Sequence, residues 1–232
     1  MRLLQPNPKA VARPAPTGML LPAAALLAII LLFLSAALTQ AAPEAPLGNI
    51  VGNTLADQFG ADVNSCSLRE AILTANANSN FGGCAGSGGS QTIALGAGAH
   101  TLSIGGNGDD TDAIGDLDVT ASLSIVGLGP LSTTITASGA FSDRLVHIGP
   151  GVSVVISGVR LTGADARDNG FGAAIFTEGR LTLINSVVDN NTSSSTGGGI
   201  AVDPLGTALI QSSAITGNLA NNAGGGIRAG GP

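Results

Sequence analysis

"VVISGVRLTG" (154–163), "LTLINSVVDN" (181–190) and "ALIQSSAITG" (208–217) repeat one pattern at a constant step of 27 residues. Val154, Leu181 and Ala208 coincide, as do Ile156, Leu183 and Ile210, and again Leu161, Val188 and Ile215. A second element follows each of them: "GAAI" (172–175), "GGGI" (197–200) and "GGGI" (224–227), spaced by 25 and then 27. The turn between the two elements therefore varies in length. A fixed period in this range is the signature of a solenoid or propeller, in which each unit contacts only its neighbours.

The local pattern chooses among these architectures. Each segment is short, rich in β-branched residues, alternating, and bounded by Gly, Asn or Asp, which describes strands rather than helices. No helical period lies between the segments, which excludes α-solenoids and argues against leucine-rich repeats. Propeller blades need roughly 40 residues or more. Coils of 25–27 residues fit a parallel β-helix, with each coil stacked on the next at about 4.8 Å. "QTIALGAGAHTLSI" (91–104), "GDLDVTASLSIVGLG" (115–129) and "STTITASGAFSDRLVHIG" (132–149) read as less regular earlier coils. The GGG corners supply positive φ without steric cost. Asn190, Asn191, Asn218, Asn221 and Asn222 fall at turns, where stacked amides form ladders.

Ahead of the coils stands "CSLREAILTANAN" (66–78), the one helical segment beyond the N-terminal leader. Ser67 and Glu70 have the spacing of a capping box. Leu68, Ala71, Ile72 and Ala75 fall on one face, and Asn and Gly end the helix. A helix of two to three turns is not stable alone and must bury that face. A β-helix end exposes unpaired backbone and core side chains, and natural solenoids cap such ends. The expectation is that the helix lays Leu68, Ile72 and Ala75 over the first coil.

"CSLREA" (66–71), with Asp57 and Asp62 upstream, "ANAN" (75–78) and Cys84 downstream, resembles the bacterial CSLREA domain. The resemblance implies an exported protein in which the domain follows a signal peptide and precedes right-handed parallel β-helix repeats of the polymorphic outer-membrane-protein style. It implies no activity. The expected fold is therefore all-β: a right-handed parallel β-helix with one short N-terminal capping helix, behind a signal peptide. The expected divisions are 1–41 signal peptide, 42–90 cap region and 91–232 β-helix repeats, truncated at the C-terminus because "GGGIRAGGP" stops at a corner.

The leader carries the charge of an export signal. Arg2, Lys9 and Arg13 precede an uncharged apolar run from Met19 to Leu38. Thr39 and Ala41 fit the −3 and −1 positions, so cleavage is expected after Ala41. The run is also long enough to remain as an anchor. Either way the remainder faces an oxidising exterior, secreted or at the cell surface. The only two cysteines, Cys66 and Cys84, are then expected to form a disulfide.

Composition excludes some functions. The 232 residues carry a net charge of −6; beyond the leader stand six Arg, no Lys and all fifteen acids. Such a surface does not suit nucleic acid. Membrane contact is expected only through an uncleaved leader or an anchor beyond this stretch. "NGDDTDAIGDLD" (107–118) is the densest acidic run. Asp109, Asp110 and Asp112, with Asn107, Asp116 and Asp118, are candidate Ca²⁺ ligands, but the spacing is not that of an EF-hand, and "GDLD" reads as a solvated turn. No other metal or cofactor is expected. Asp165, Asp168, Arg160 and Arg167 form the nearest approach to a lyase-like cluster, and Asp189 falls three positions from the 27-residue step after Asp165. His100 and His147 read as isolated coil residues, and no catalytic residue is assigned. Three functions compete: a structural, adhesion or binding module contacting an extracellular protein or matrix surface, with glycan as an alternative ligand; a pectate-lyase-like polysaccharide enzyme; and a passenger stretch without activity of its own. The absence of Trp and Tyr weakens the glycan readings.

Overall fold

The computed structural model describes residues 49–60, 62–86, 91–106, 111–139, 141–167 and 170–230. The expected signal peptide, and Asp109, Asp110 and Asp168, lie outside them. The described chain is a parallel β-helix. It enters as β1 (Asn49–Gly52), forms the helix α1 (Leu68–Ala77), and then winds through successive coils. The first coil comprises β2 (Gln91–Leu95), β3 (Gly98–Leu102) and β4 (Leu117–Val119). The second comprises β5 (Leu123–Val126), β6 (Thr133–Ala137) and β7 (Val146–Ile148). The third adds a short strand: β8 (Ser153–Ser157), β9 (Arg160–Thr162), β10 (Asp165–Ala166) and β11 (Ile175–Thr177). The next two keep that plan as β12 (Arg180–Ile184), β13 (Val187–Asp189), β14 (Thr192–Ser193), β15 (Ile200–Val202) and β16 (Thr207–Gln211), β17 (Ala214–Thr216), β18 (Leu219–Ala220), β19 (Ile227–Ala229).

Stacking these coils builds a first sheet in the order β1-β2-β5-β8-β12-β16, a second as β3-β6-β9-β13-β17, and a third as β4-β7-β11-β15-β19. A small sheet β10-β14-β18 fills one corner. The 27-residue register is the observed one: Val154, Leu181 and Ala208 pair in turn, as do Leu161, Val188 and Ile215. Ile175, Ile200 and Ile227 pair at the second element. The core is a set of aliphatic ladders. Ile93, Ile125, Ile156 and Leu183 stand directly above one another and are fully buried, each stabilising the stack by about 1.5–3 kcal/mol.

Polar ladders run beside the apolar ones. Asn191 Nδ2 donates to Asn218 Oδ1 at 2.9 Å, and the same oxygen accepts from Asn191 N–H at 3.0 Å. Ser186 Oγ accepts from Val159 N–H, and Ser213 Oγ from Ser186 N–H. Each such side chain replaces a backbone partner lost at a corner, which a buried N–H requires. Gly197 and Gly224 take φ of +67° and +66° at the corners. A Cβ at Gly198 would stand 2.2 Å from the carbonyl oxygen of Leu219 in the next coil, so this corner closes only around glycine.

Helix α1 is the expected cap. It packs against β1, β2 and β4, with Leu68, Ala71, Ile72 and Ala75 buried. Ser67 Oγ accepts from Glu70 N–H at 3.2 Å, and Glu70 Oε2 accepts from Ser67 N–H at 3.0 Å, completing the capping box. Glu70 Oε1 also accepts from Gly60 N–H. Asn78 ends the helix in the left-handed region, and the Cys66–Cys84 disulfide ties its start to the following loop.

Candidate functional site

The described residues bury two groups of charged side chains near the first coils. The first is a strap. Arg69 is fully buried in α1. Its Nε and Nη2 donate to the two carboxylate oxygens of Asp57 at 2.8 and 3.1 Å. Its remaining donors reach the backbone carbonyls of Asp112, Gly115 and Asp116. Asp57 in turn accepts from Ser103 N–H and Ile104 N–H. Each residue of the Cys66–Ala71 hexapeptide is thus engaged in the cap, as bridge, cap, core side chain or strap.

The second group lies on the outer face of the third sheet. Asp118, His147 and Phe176 are register partners on β4, β7 and β11. His147 Nδ1 stands 2.9 Å from Asp118 Oδ1, and its Nε2 stands 3.2 Å from Glu178 Oε1. The ring stacks on Phe176 with centroids 5.3 Å apart. Arg144 lies over the same Phe176 ring. Its Nε is 2.6 Å from Asp116 Oδ2 and 3.7 Å from Asp143 Oδ1. Ligand atoms of Asp116, Asp118 and His147 fall within 4.8 Å of one another. His147 is therefore not the isolated residue its sequence surroundings suggest.

Burial sets the electrostatics. The carboxyls of Asp116 and Asp118 are almost wholly enclosed, with side chains 4% exposed, so "GDLD" is not a solvated turn. The N-terminal cap closes over it on one side, where Asn76 Nδ2 donates to Asp118 O and to Asp112 Oδ2. The second coil closes it on the other. Burial pushes the Asp116 carboxyl up to about 7, although Arg144 pulls it down. Burial pushes Asp112 up to about 8, although the Asp118 N–H bound to it opposes this. Burial acts to lower the His147 pKa, but the Asp118 hydrogen bond and the charges of Asp116 and Asp118 outweigh it, and the net shift is upward. An imidazole facing a carboxylate on each nitrogen can donate to both only as the cation.

The other predicted residues are placed as follows. Both oxygens of Asp112 are engaged, Oδ1 by Asp118 N–H and Oδ2 by Asn76. Asp165 pairs in register with Thr192, as the 27-residue step requires, and its carboxylate meets Arg167 on the surface. Asp189 joins Arg160 instead, through Nε at 2.8 Å and Nη2 at 2.6 Å. These residues form two separate ion pairs rather than one cluster. His100 is a core residue, its pKa lowered by burial and its Nε2 3.3 Å from Gly96 O. Glu178, Arg144 and Phe176 are the site residues that sequence reading missed. No helix among the described residues is long and apolar enough to cross a membrane. Comparison with protein-family models, curated proteins and solved structures finds no match to this chain.

Proposed function

We propose that this chain is an exported β-helix module that acts by presenting its stacked side faces to an extracellular protein or matrix surface, in a structural or adhesive role. The observation that carries the reading is the disulfide-pinned cap. A Cys66–Cys84 bridge persists in an oxidising compartment, and it secures a solenoid end against edge-to-edge pairing. The basic, apolar N-terminal leader and the resemblance of residues 66–84 to the CSLREA domain agree with export. The side faces suit the role, since Thr101, Thr136, Thr162, Asp189 and Thr216 form one regular rank across the second sheet.

The alternative is a polysaccharide-active enzyme. The Asp116, Asp118, His147 and Arg144 group supplies suitable residue types, but a polymer does not reach carboxylates enclosed to this degree. The test is fractionation of cells expressing the full chain, with thiol labelling, followed by incubation of the product with polygalacturonate and other acidic glycans with and without Ca²⁺. The expected result is protein in the envelope or medium, both cysteines blocked, and glycans intact. Cytoplasmic protein with free thiols would remove the export reading. New reducing ends or unsaturated products would replace adhesion by the enzyme.

A further inference from the structure

We propose that Asp116, Asp118 and His147 bind a divalent first-row transition cation, for which Zn²⁺ is the probe. The inference stands independently of the adhesive reading. Three observations carry it. First, an oxygen from each aspartate and an imidazole nitrogen converge within 4.8 Å, contributed by two adjacent coils whose register fixes their spacing. Second, Asp118 is enclosed, yet its Oδ2 receives no hydrogen bond, on the same carboxyl whose Oδ1 touches His147. A buried carboxylate oxygen left without a donor is costly, and a cation supplies what is missing.

Third, His147 is already oriented as a ligand. Its Nε2 faces Glu178, the arrangement in which an outer carboxylate fixes the ring and raises the basicity of the opposite nitrogen. Nδ1 is the nitrogen turned to Asp118. Binding exchanges the Nδ1 proton, released to solvent, for the cation. Arg144, now beside Asp116, is the counter-charge that must withdraw, and Asp143 stands 3.7 Å from its Nε to receive it.

The donor set selects the class of ion. Imidazole suits Zn²⁺ and its neighbours, whereas Ca²⁺ takes six to eight oxygen ligands. Two carboxylates and one imidazole leave a further coordination position, as in zinc sites that accept an exchangeable ligand. The side chain of His147, 18% exposed, lies on the route from solvent.

The experiment uses the full chain as recovered from the expressing cell, carrying a tag without histidines and stripped with a chelator. Zn²⁺ is titrated by calorimetry while the imidazole signals of His100 and His147 are followed by NMR. One equivalent is expected to bind and to move the His147 signals alone, reversibly on chelation. His100→Gln should bind as the parent does. Asp118→Asn and His147→Gln should lose the site, and Glu178→Gln should weaken it about 10-fold. The proposal is overturned if the parent binds no stoichiometric Zn²⁺, if the His147 signals stay fixed, or if Ca²⁺ competes on equal terms. The parent's own His147 signals report binding, so these outcomes do not depend on any variant folding.

Discussion

Arg69 with Asp57, and His147 with Asp116 and Asp118, are two buried charged groups close together in one molecule, and they are resolved in opposite ways. The Arg69 guanidinium spends its donors on a carboxylate and three carbonyls. The second group keeps an oxygen without a donor, a histidine held between carboxylates and a carboxyl pushed up to about 7. Burial alone therefore does not mark a functional group. What separates a strap from a site is whether the enclosed charge is fully matched by fixed partners.

The contrast between the two groups breaks most directly at Arg69. Arg69→Met leaves Asp57 enclosed without its cation, and urea denaturation should show a loss of about 3–5 kcal/mol, the range for one-sided removal from a buried pair. A loss below about 1 kcal/mol would place the strap in the same class as surface pairs. Replacing both cysteines by serine should lower stability by about 3 kcal/mol for a bridge across 18 residues. Native-state hydrogen exchange should show that loss concentrated in α1 and the first coil.

The opposite behaviour is expected in the second group. With chelator present, Asp118→Asn keeps an acceptor for His147 and removes one of several crowded negative charges. Its unfolding free energy should lie within about 1 kcal/mol of the parent. A loss matching that of Arg69→Met would show that Asp118 is a strap too. The smallest effect belongs to the half-buried pair of Arg160 and Asp189 at the surface. Arg160→Ala should cost about 0.2–1 kcal/mol at neutral pH. The Arg160 hydrogen bond holds Asp189 below the usual carboxylate range, against the opposing pull of its partial burial. A depressed folded pKa gives a contribution that is present above the unfolded value of about 3.9 and lost as pH falls through the folded one. The difference between parent and variant should therefore shrink on acidification below about pH 4, which paired denaturation curves at two pH values would show.

The later coils were legible because their step is constant. Leu161, Val188 and Ile215 align in the sequence as they do in the sheet. The capping helix was legible because Ser67, Glu70 and its apolar face are local. The charged site was not, for two physical reasons. The early coils carry turns of unequal length, so Leu123 pairs with Gln91 on one side and Val154 on the other without a common step. Asp118 and His147 are 29 residues apart, as are the register partners His147 and Phe176, and Glu178 lies 31 from His147, so the 27-residue period read from the later coils does not bring them together. The "GDLD" turn looks solvated in one dimension because its cover comes from α1 and from the next coil, neither of which is near in sequence. A signal was present in Asp118 and His147, each flanked by buried aliphatic residues at alternating positions, which places both on one sheet face once the coil is assumed.

The side-chain ladders also bear on how such a molecule changes length over evolutionary time. Asn191 meets Asn218, and Ser186 meets Ser213, at the same 27-residue offset as the backbone register. Each rung answers only to the floor above and the floor below. A tandem copying of one repeat in the gene would therefore insert a floor whose hydrogen bonds are already specified, while an insertion of one residue within a strand would turn its core side chains outward. Growth by whole repeats would keep the register, and growth by fractions would fit only at the corners, where the early coils hold their extra residues.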